Sequence, residues 1–248
     1  MNKRIGIFIV NYNMPERTES LANHIRENVR WPYHLYIIDN ASDIIMPARG
    51  TNVSAKRNLQ TTGGWLLGLQ ESDKRGEDYL GYWFIITSAE FMNNTDVLTP
   101  MAQFFVDTPG AVGVHPALSP DSTTTWEHLK TRGTGAPRRT WMIDNIMSLW
   151  RASWFNKIGR FDSGLKYGWG IDLETCYLAR QQGYSLWVHE RVTVKKITDI
   201  GYTMNRMNMS AQERRVLASA NMNAILSQKY GQNWFERLTG EYIEGEWK

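Results

Sequence analysis

Three short apolar runs, each breaking off into polar residues, constrain this chain most. Arg4 to Val10 (RIGIFIV) ends at Asn11-Tyr12-Asn13, His34 to Ile38 (HLYII) at Asp39-Asn40, and Tyr82 to Ile86 (YWFII) at Thr87-Ser88-Ala89-Glu90. β-Branched and aromatic runs of this length read as strands buried on both faces. Between the first two, Pro15 opens a helix through about Val29, with Leu21, Ile25 and Val29 on one face. Strand, helix, strand at this spacing is a βα unit of a parallel sheet with a right-handed crossover. The three polar clusters would then share the carboxyl edge, where open α/β sheets bind ligands.

The remaining chain extends the pattern. Thr51 to Leu59 reads as an edge strand and loop, and Thr61-Thr62-Gly63-Gly64 leads into a helix from Trp65. A helix is expected over Asp96 to Val106, a strand over Ala111 to His115, and a mobile loop over Ser119 to Thr140. Trp141 to Trp150 reads as a strand, Ala152 to Ile158 as a short helix, and Asp172 to Gln182 as a helix closed by Gly183. Leu186 to Val188 and Val192 to Lys195 read as two short strands, and Ser210 to Tyr230 as a long helix before a last one from Trp234. The fold class is α/β: a mostly parallel central sheet with helices on both faces. We expect one domain over residues 1–200 and a C-terminal helical extension over 201–248, packed on or beside it.

Bulk composition excludes several classes. With 248 residues, 42% hydrophobic and 21% charged, the chain has the make-up of a folded protein rather than a disordered one. Its longest strongly apolar run, Ile5 to Val10, falls far short of the ~20 residues that cross a bilayer. MNKRIGIFIVNYN lacks a small-residue cleavage site after a long apolar core, so a cytoplasmic location without a secretory leader is expected. Cys176 is the sole cysteine, which rules out an intrachain disulfide and a cysteine-based metal site. A net charge of +3 gives no basis for nucleic-acid binding.

Chemistry concentrates in Phe161 to Cys176, FDSGLKYGWGIDLETC. Trp169 stands between Gly168 and Gly170, and Asp172 follows at once. A tryptophan face packs on the C–H face of a sugar, and a carboxylate can take the proton of a hydroxyl. The same residues would also make a tight turn with Asp172 capping a helix. Glu174 is an unsuitable partner for Asp172: two helical steps of ~100° place the two on nearly opposite sides. It is expected to face solvent or to favour the helix N-terminus.

In order, IFIVNYN, LYIIDNAS, RNLQTTGGWLLGL and WFIITSAE resemble the inverting family 2 glycosyltransferases of GT-A (Rossmann-like) fold. The later FNKIGRFDSGLKYGWGIDLETCYLARQQGYSLWVHERVTV is similar to the second half of that family's pattern, and the resemblance covers roughly residues 4 to 198. It implies transfer of a sugar from a nucleotide-diphosphate sugar, a UDP- or dTDP-sugar, to an acceptor hydroxyl with inversion. By the same resemblance Asn11, Tyr12 and Asp39 meet the donor's base and ribose, Arg57 and Asn58 touch the nucleotide, and Gly63-Gly64 form the turn beneath it. Asp172 matches the catalytic base. Asn145, Trp169 and Gly170 fall where the donor sugar or acceptor lies. The acceptor is left open between glycan, lipid-linked glycan, protein and modified nucleic acid.

Two departures concern the diphosphate. The family's Asp-x-Asp motif, which binds Mn²⁺ or Mg²⁺, is replaced by Thr87-Ser88-Ala89-Glu90, leaving Glu90 as a doubtful metal ligand. Where the family often has a histidine after the last strand, Lys195-Lys196 stand, and an ammonium group can stabilise a leaving diphosphate without a divalent cation. Two rival readings are a sugar-nucleotide-binding protein without turnover and a nucleotidyltransferase. The second suffers from the absence of glycine in NYNMPER, after the first strand.

Overall fold

The computed structural model describes residues 2–197 and 209–240. The sheet starts with β1 (Ile5–Asn11), β2 (Tyr33–Asp39), β3 (Val53–Ser54) and β4 (Gly81–Ile85) in the spatial order β3-β2-β1-β4, all parallel. It continues through β8 (Leu149–Arg151), β6 (Ala111–Leu118) and β9 (Ser185–Lys196). β8 runs antiparallel to both β4 and β6, so β6 and its parallel neighbour β9 point the same way as β1. Two short antiparallel strands, β5 (Ala89–Phe91) and β7 (Arg138–Thr140), pair with the second and first halves of β9. The α/β class with a mostly parallel sheet is what the sequence led us to expect.

Strand alternation explains the layers. In β1, Ile5, Ile7 and Ile9 pack with α1 (Pro15–Asn28) and α3 (Leu98–Asp107), through Leu21, Ile25, Leu98, Met101 and Phe105. Phe8 points the other way, into a cluster with α2 (Gln60–Asp73), α4 (Ala152–Lys157) and α5 (Ile171–Gln181). The second half of β9 returns to the same carboxyl edge as β1, β2 and β4. After it, α6 (Ala211–Tyr230) and α7 (Trp234–Thr239) complete the described chain, and the expected extension at 201–208 and 241–248 lies outside the described residues. No helix among the described residues is long and apolar enough to cross a membrane.

Three local expectations are corrected. Trp141 to Trp150 forms a strand only at its end. Asn145 Oδ1 accepts from Ser148 Oγ at 2.6 Å and Trp150 Nε1 at 3.2 Å, and this local pairing bends the apolar run into a buried loop. The two short strands expected over Leu186 to Lys195 are one strand with an irregularity: Pro116 pairs with His189, but the next residue, Ala117, pairs with Thr193. Pro116 has no N–H to give to a ladder, which suits it to such a break. The Ser119 to Thr140 segment is tied down rather than loose. Glu190, in the irregular part of β9, accepts from Arg138 Nε at 2.7 Å, Thr131 Oγ1 at 2.8 Å and Arg132 N at 2.9 Å.

α2 lies close on β1 because Gly64 faces it. A Cβ at Gly64 would stand 2.8 Å and 3.1 Å from the two γ-methyls of Val10, whose branched side chain cannot turn away within the sheet. Gly64→Ala is therefore expected to destabilise the protein by about 1–3 kcal/mol through overpacking. A urea titration would show this as a lower midpoint at an unchanged slope.

Candidate active site

Along the carboxyl edge, a pocket opens between the ends of β1, β2 and β4, the start of α2, and α6. Val10, Ile85, Ile86 and Trp65 give it an apolar lining, and Tyr12, Asn40, Asn58, Gln60, Thr61, Thr87 and Arg214 give it polar groups. Among the sequence-predicted donor residues, Tyr12 and Asn58 belong to this wall. Asn11 and Asp39 do not. Asn11 is fully buried, donating from Nδ2 to Asp39 Oδ1 at 2.9 Å and accepting from Met14 N at Oδ1. Asp39 also takes the Ser42 hydroxyl at 2.6 Å and Ser42 N at 3.1 Å. The pair therefore fastens the loop after β2 to the end of β1, which positions Tyr12. Arg57 is exposed and is not part of the wall. Gly64 sits behind the wall as a packing residue.

Beside this pocket, two backbone connections carry the acidic groups. Past the end of β4, Ile86 N–H donates to Ile146 O at 3.0 Å, which brings the 141–148 loop alongside the pocket and Asp144 to the sheet end. From the other side, Thr62 donates to the 165–166 backbone, through Oγ1 to Leu165 O at 2.5 Å and N to Lys166 O at 3.2 Å. That loop leads through Trp169 into α5. Gly170 is the N-cap of α5 with φ +83°, a left-handed conformation that a side chain resists, and its Cβ would meet Met222 Cγ of α6 at 2.9 Å. Asp172 thus lies inside the first turn rather than at the cap, its Oδ1 accepting from Leu173 N at 2.9 Å. Trp169 projects from the turn 44% exposed, free to meet a ligand face.

Asp172 has an altered acidity. Burial pushes its pKa up to about 7, and the nearby negative charge of Asp144 adds to the rise, while Lys196 opposes it. Asp144 is raised as well, by burial first, with the Lys196 ammonium 3.7 Å away holding it down. These three side chains form one cluster of two carboxylates and one ammonium. Lys195, the neighbour that the family comparison pointed to, is turned to the other side of β9, where it pairs with Asp121 at 2.5 Å. Asn145 does not present its oxygen to the site, because Ser148 and Trp150 already hold it; its Nδ2 is buried without a partner among the described residues.

Glu174 corrects another expectation. Instead of facing solvent it is 3% exposed, and it accepts from Lys229 Nζ and from the Tyr230 hydroxyl at 2.7 Å, both at the end of α6. Lys229 also reaches Asp162 at 2.9 Å. Glu90 is 51% exposed at its side chain, on β5, with Arg17 at 3.9 Å, and is not in the pocket wall. Among the described residues no three His, Cys, Asp or Glu side chains gather as a metal site. Asp144 and Asp172 already face an ammonium group, so the donor set does not fit the several oxygens that a hard divalent ion takes.

Asp144, Lys196 and Arg214 are the groups that sequence reasoning missed or passed over. Asp144 adjoins the chosen Asn145 and shares no motif with Asp172; Arg214 stood out only as half of an arginine pair on an outer helix.

No family model matches the sequence, and no curated protein matches it. Among solved structures the chain is similar to GalNAc-T7 with UDP, GalNAc and Mn²⁺, at 11% identity and a TM-score of 0.61, covering 79% of this chain and 44% of that one. It is similar to the mannosyltransferase PcManGT from Pyrobaculum calidifontis in complex with GDP-Man and Mn²⁺, at 13% identity and 0.59, covering 100% and 77%. A third likeness is to S. aureus TarS 1-349, at 11% identity and 0.57, covering 97% and 80%. The chain thus spans less than half the length of the first of these. The shared architecture is the GT-A fold of glycosyltransferases.

The raised pKa of Asp172 has a consequence for stability. Folded, the group keeps a proton that the unfolded chain gives up at about pH 4, so its ionisation costs stability as pH rises from there to about 7. Asp172→Asn is expected to melt higher than wild type at about pH 8, with the gap closing towards about pH 4. Equal melting temperatures at both ends would remove the buried-charge account.

Proposed function

We propose that the protein is an inverting glycosyltransferase that moves a sugar from a nucleotide-diphosphate sugar, a UDP- or dTDP-sugar, to an acceptor hydroxyl. The observation that carries this reading is the Asp172–Asp144–Lys196 cluster beside a pocket with an apolar floor and a polar rim. The GT-A fold shared with structures described with UDP and GDP-Man supports it.

In this reading the nucleoside lies in the pocket and the reacting sugar points towards Asp172. The Asp172 carboxylate takes the proton of the acceptor hydroxyl as that oxygen bonds to the anomeric carbon. The bond from that carbon to the phosphate oxygen breaks, and its electron pair leaves with the nucleoside diphosphate. Single displacement inverts the anomeric centre. A base with a pKa near neutrality is matched to this task, because it is ionised at working pH yet basic enough to accept the proton. Asp144 raises that basicity, and Lys196 supplies a positive charge facing the departing phosphates. Trp169 offers its exposed face to the acceptor or donor sugar.

Asp172→Asn should lower kcat by about 10²- to 10⁴-fold, and kcat/KM of the wild type should fall as pH drops below about 7. Transfer should persist in EDTA. Lys196→Ala should slow it strongly, whereas Lys195→Ala should leave it near wild type. A wild type that binds nucleotide-sugar but neither transfers nor hydrolyses it would favour the non-catalytic binding reading. Full loss of transfer with chelator would overturn the role given to Lys196.

A further inference from the structure

The first turn of α6 is fixed by a capping box, with Ser210 Oγ accepting from Glu213 N and Glu213 accepting from Ser210 N. The next residue, Arg214, reaches from that turn to the mouth of the sheet. Its guanidinium donates to Gln60 Oε1 at 3.3 Å and lies 5.8 Å from the centre of the Tyr167 ring. Arg214 thereby joins a pocket wall otherwise built from residues 10–87.

The chemistry of that wall is one-sided. It includes a guanidinium and no carboxylate. Trp65, 1% exposed, has an indole Nε1–H with no acceptor among the described residues. α2 starts in the wall at Gln60 and Thr61 without an acidic residue in its first turn, so its positive end is left uncompensated there. Taking a guanidinium partly out of water is costly, and burial does push the Arg214 pKa down. Donors and positive charge gathered over an apolar floor call for an occupant rich in acceptors and negatively charged.

We infer that Arg214 is a donor-binding residue whose guanidinium engages the phosphates of the nucleotide in this pocket, so that the C-terminal helix supplies one wall of the site. The inference rests on the donor-pocket reading above. A planar, permanently charged fork suits phosphate oxygens better than an ammonium does. Its neighbour Arg215 has the same charge but is exposed on α6 and is not in the wall, so it separates a specific contact from a general field.

Calorimetric titration of the full chain with UDP, dTDP and GDP, and with uridine, thymidine and guanosine, tests it. For the nucleotide that wild type binds, Arg214→Gln should raise Kd about 10- to 100-fold, the range for a charge-assisted hydrogen bond, and leave nucleoside affinity within about twofold. Arg214→Lys should fall between, and Arg215→Gln should match wild type. Equal losses for nucleotide and nucleoside, or no loss for either, would overturn the phosphate contact while leaving the donor pocket intact. Failure of wild type to bind any of the nucleotides would overturn the pocket reading itself, and this inference with it. Circular dichroism and melting of Arg214→Gln identify a loss caused by misfolding; Gln60→Ala, which removes the guanidinium's acceptor, then serves as the second variant, expected to weaken nucleotide more than nucleoside.

Discussion

Burial of both faces of the central strands is the constraint from which the rest follows. β1 has no face that water can reach: its isoleucines meet α1 and α3, and Phe8 meets α2, α4 and α5. A strand covered on both sides can end in polar residues but cannot hold them in its middle. Asn11, Asp39 and Thr87 are therefore pushed to one edge, and that edge becomes the place where chemistry can be assembled. Antiparallel β8 then has a positional effect. It carries the 141–148 loop back along β4, and so adds Asp144 to an edge otherwise made by parallel strands.

The first turn of α5 shows how differently two carboxylates on one helix can be handled. Glu174 is fully committed: Lys229 and Tyr230 saturate it beneath α6, a structural use of charge. Asp172, two residues earlier, is left beside a second carboxylate with one ammonium near the pair. A buried group so weakly compensated is costly to the fold, and such groups concentrate where chemistry needs them. The same helix thus contains an anchor and a reactive group, separated by the half-turn that the sequence spacing implied.

Much of the fold was legible because its signals are local. Pro15 at the start of α1, the apolar runs of β1, β2 and β4, and Ser210 ahead of α6 each declare an element through neighbouring residues alone. Less was legible where a side chain's direction depends on distant contacts. Lys195 and Lys196 differ only in strand phase, and β9 has a break whose position depends on Pro116 of another strand. The 141–148 run is as apolar as a strand, but Asn145 satisfies Ser148 and Trp150 and turns it into a loop. Glu174 looked solvent-facing because α6, which covers it, lies 55 residues further on.

That distance bears on the timing of assembly. The contact between Arg214 and Gln60 spans 154 residues, while β1, β2 and β4, which make the floor of the same pocket, are all complete by Ile85. A chain emerging from the ribosome at ~5–20 residues per second lays down the floor many seconds before the helix that walls it. Until α6 docks, the carboxylate of Glu174 has no cation and the turn at Gly170 has nothing packed against it. The site is therefore the last part of the molecule to mature, and the nascent protein has a formed sheet well before it has a finished pocket.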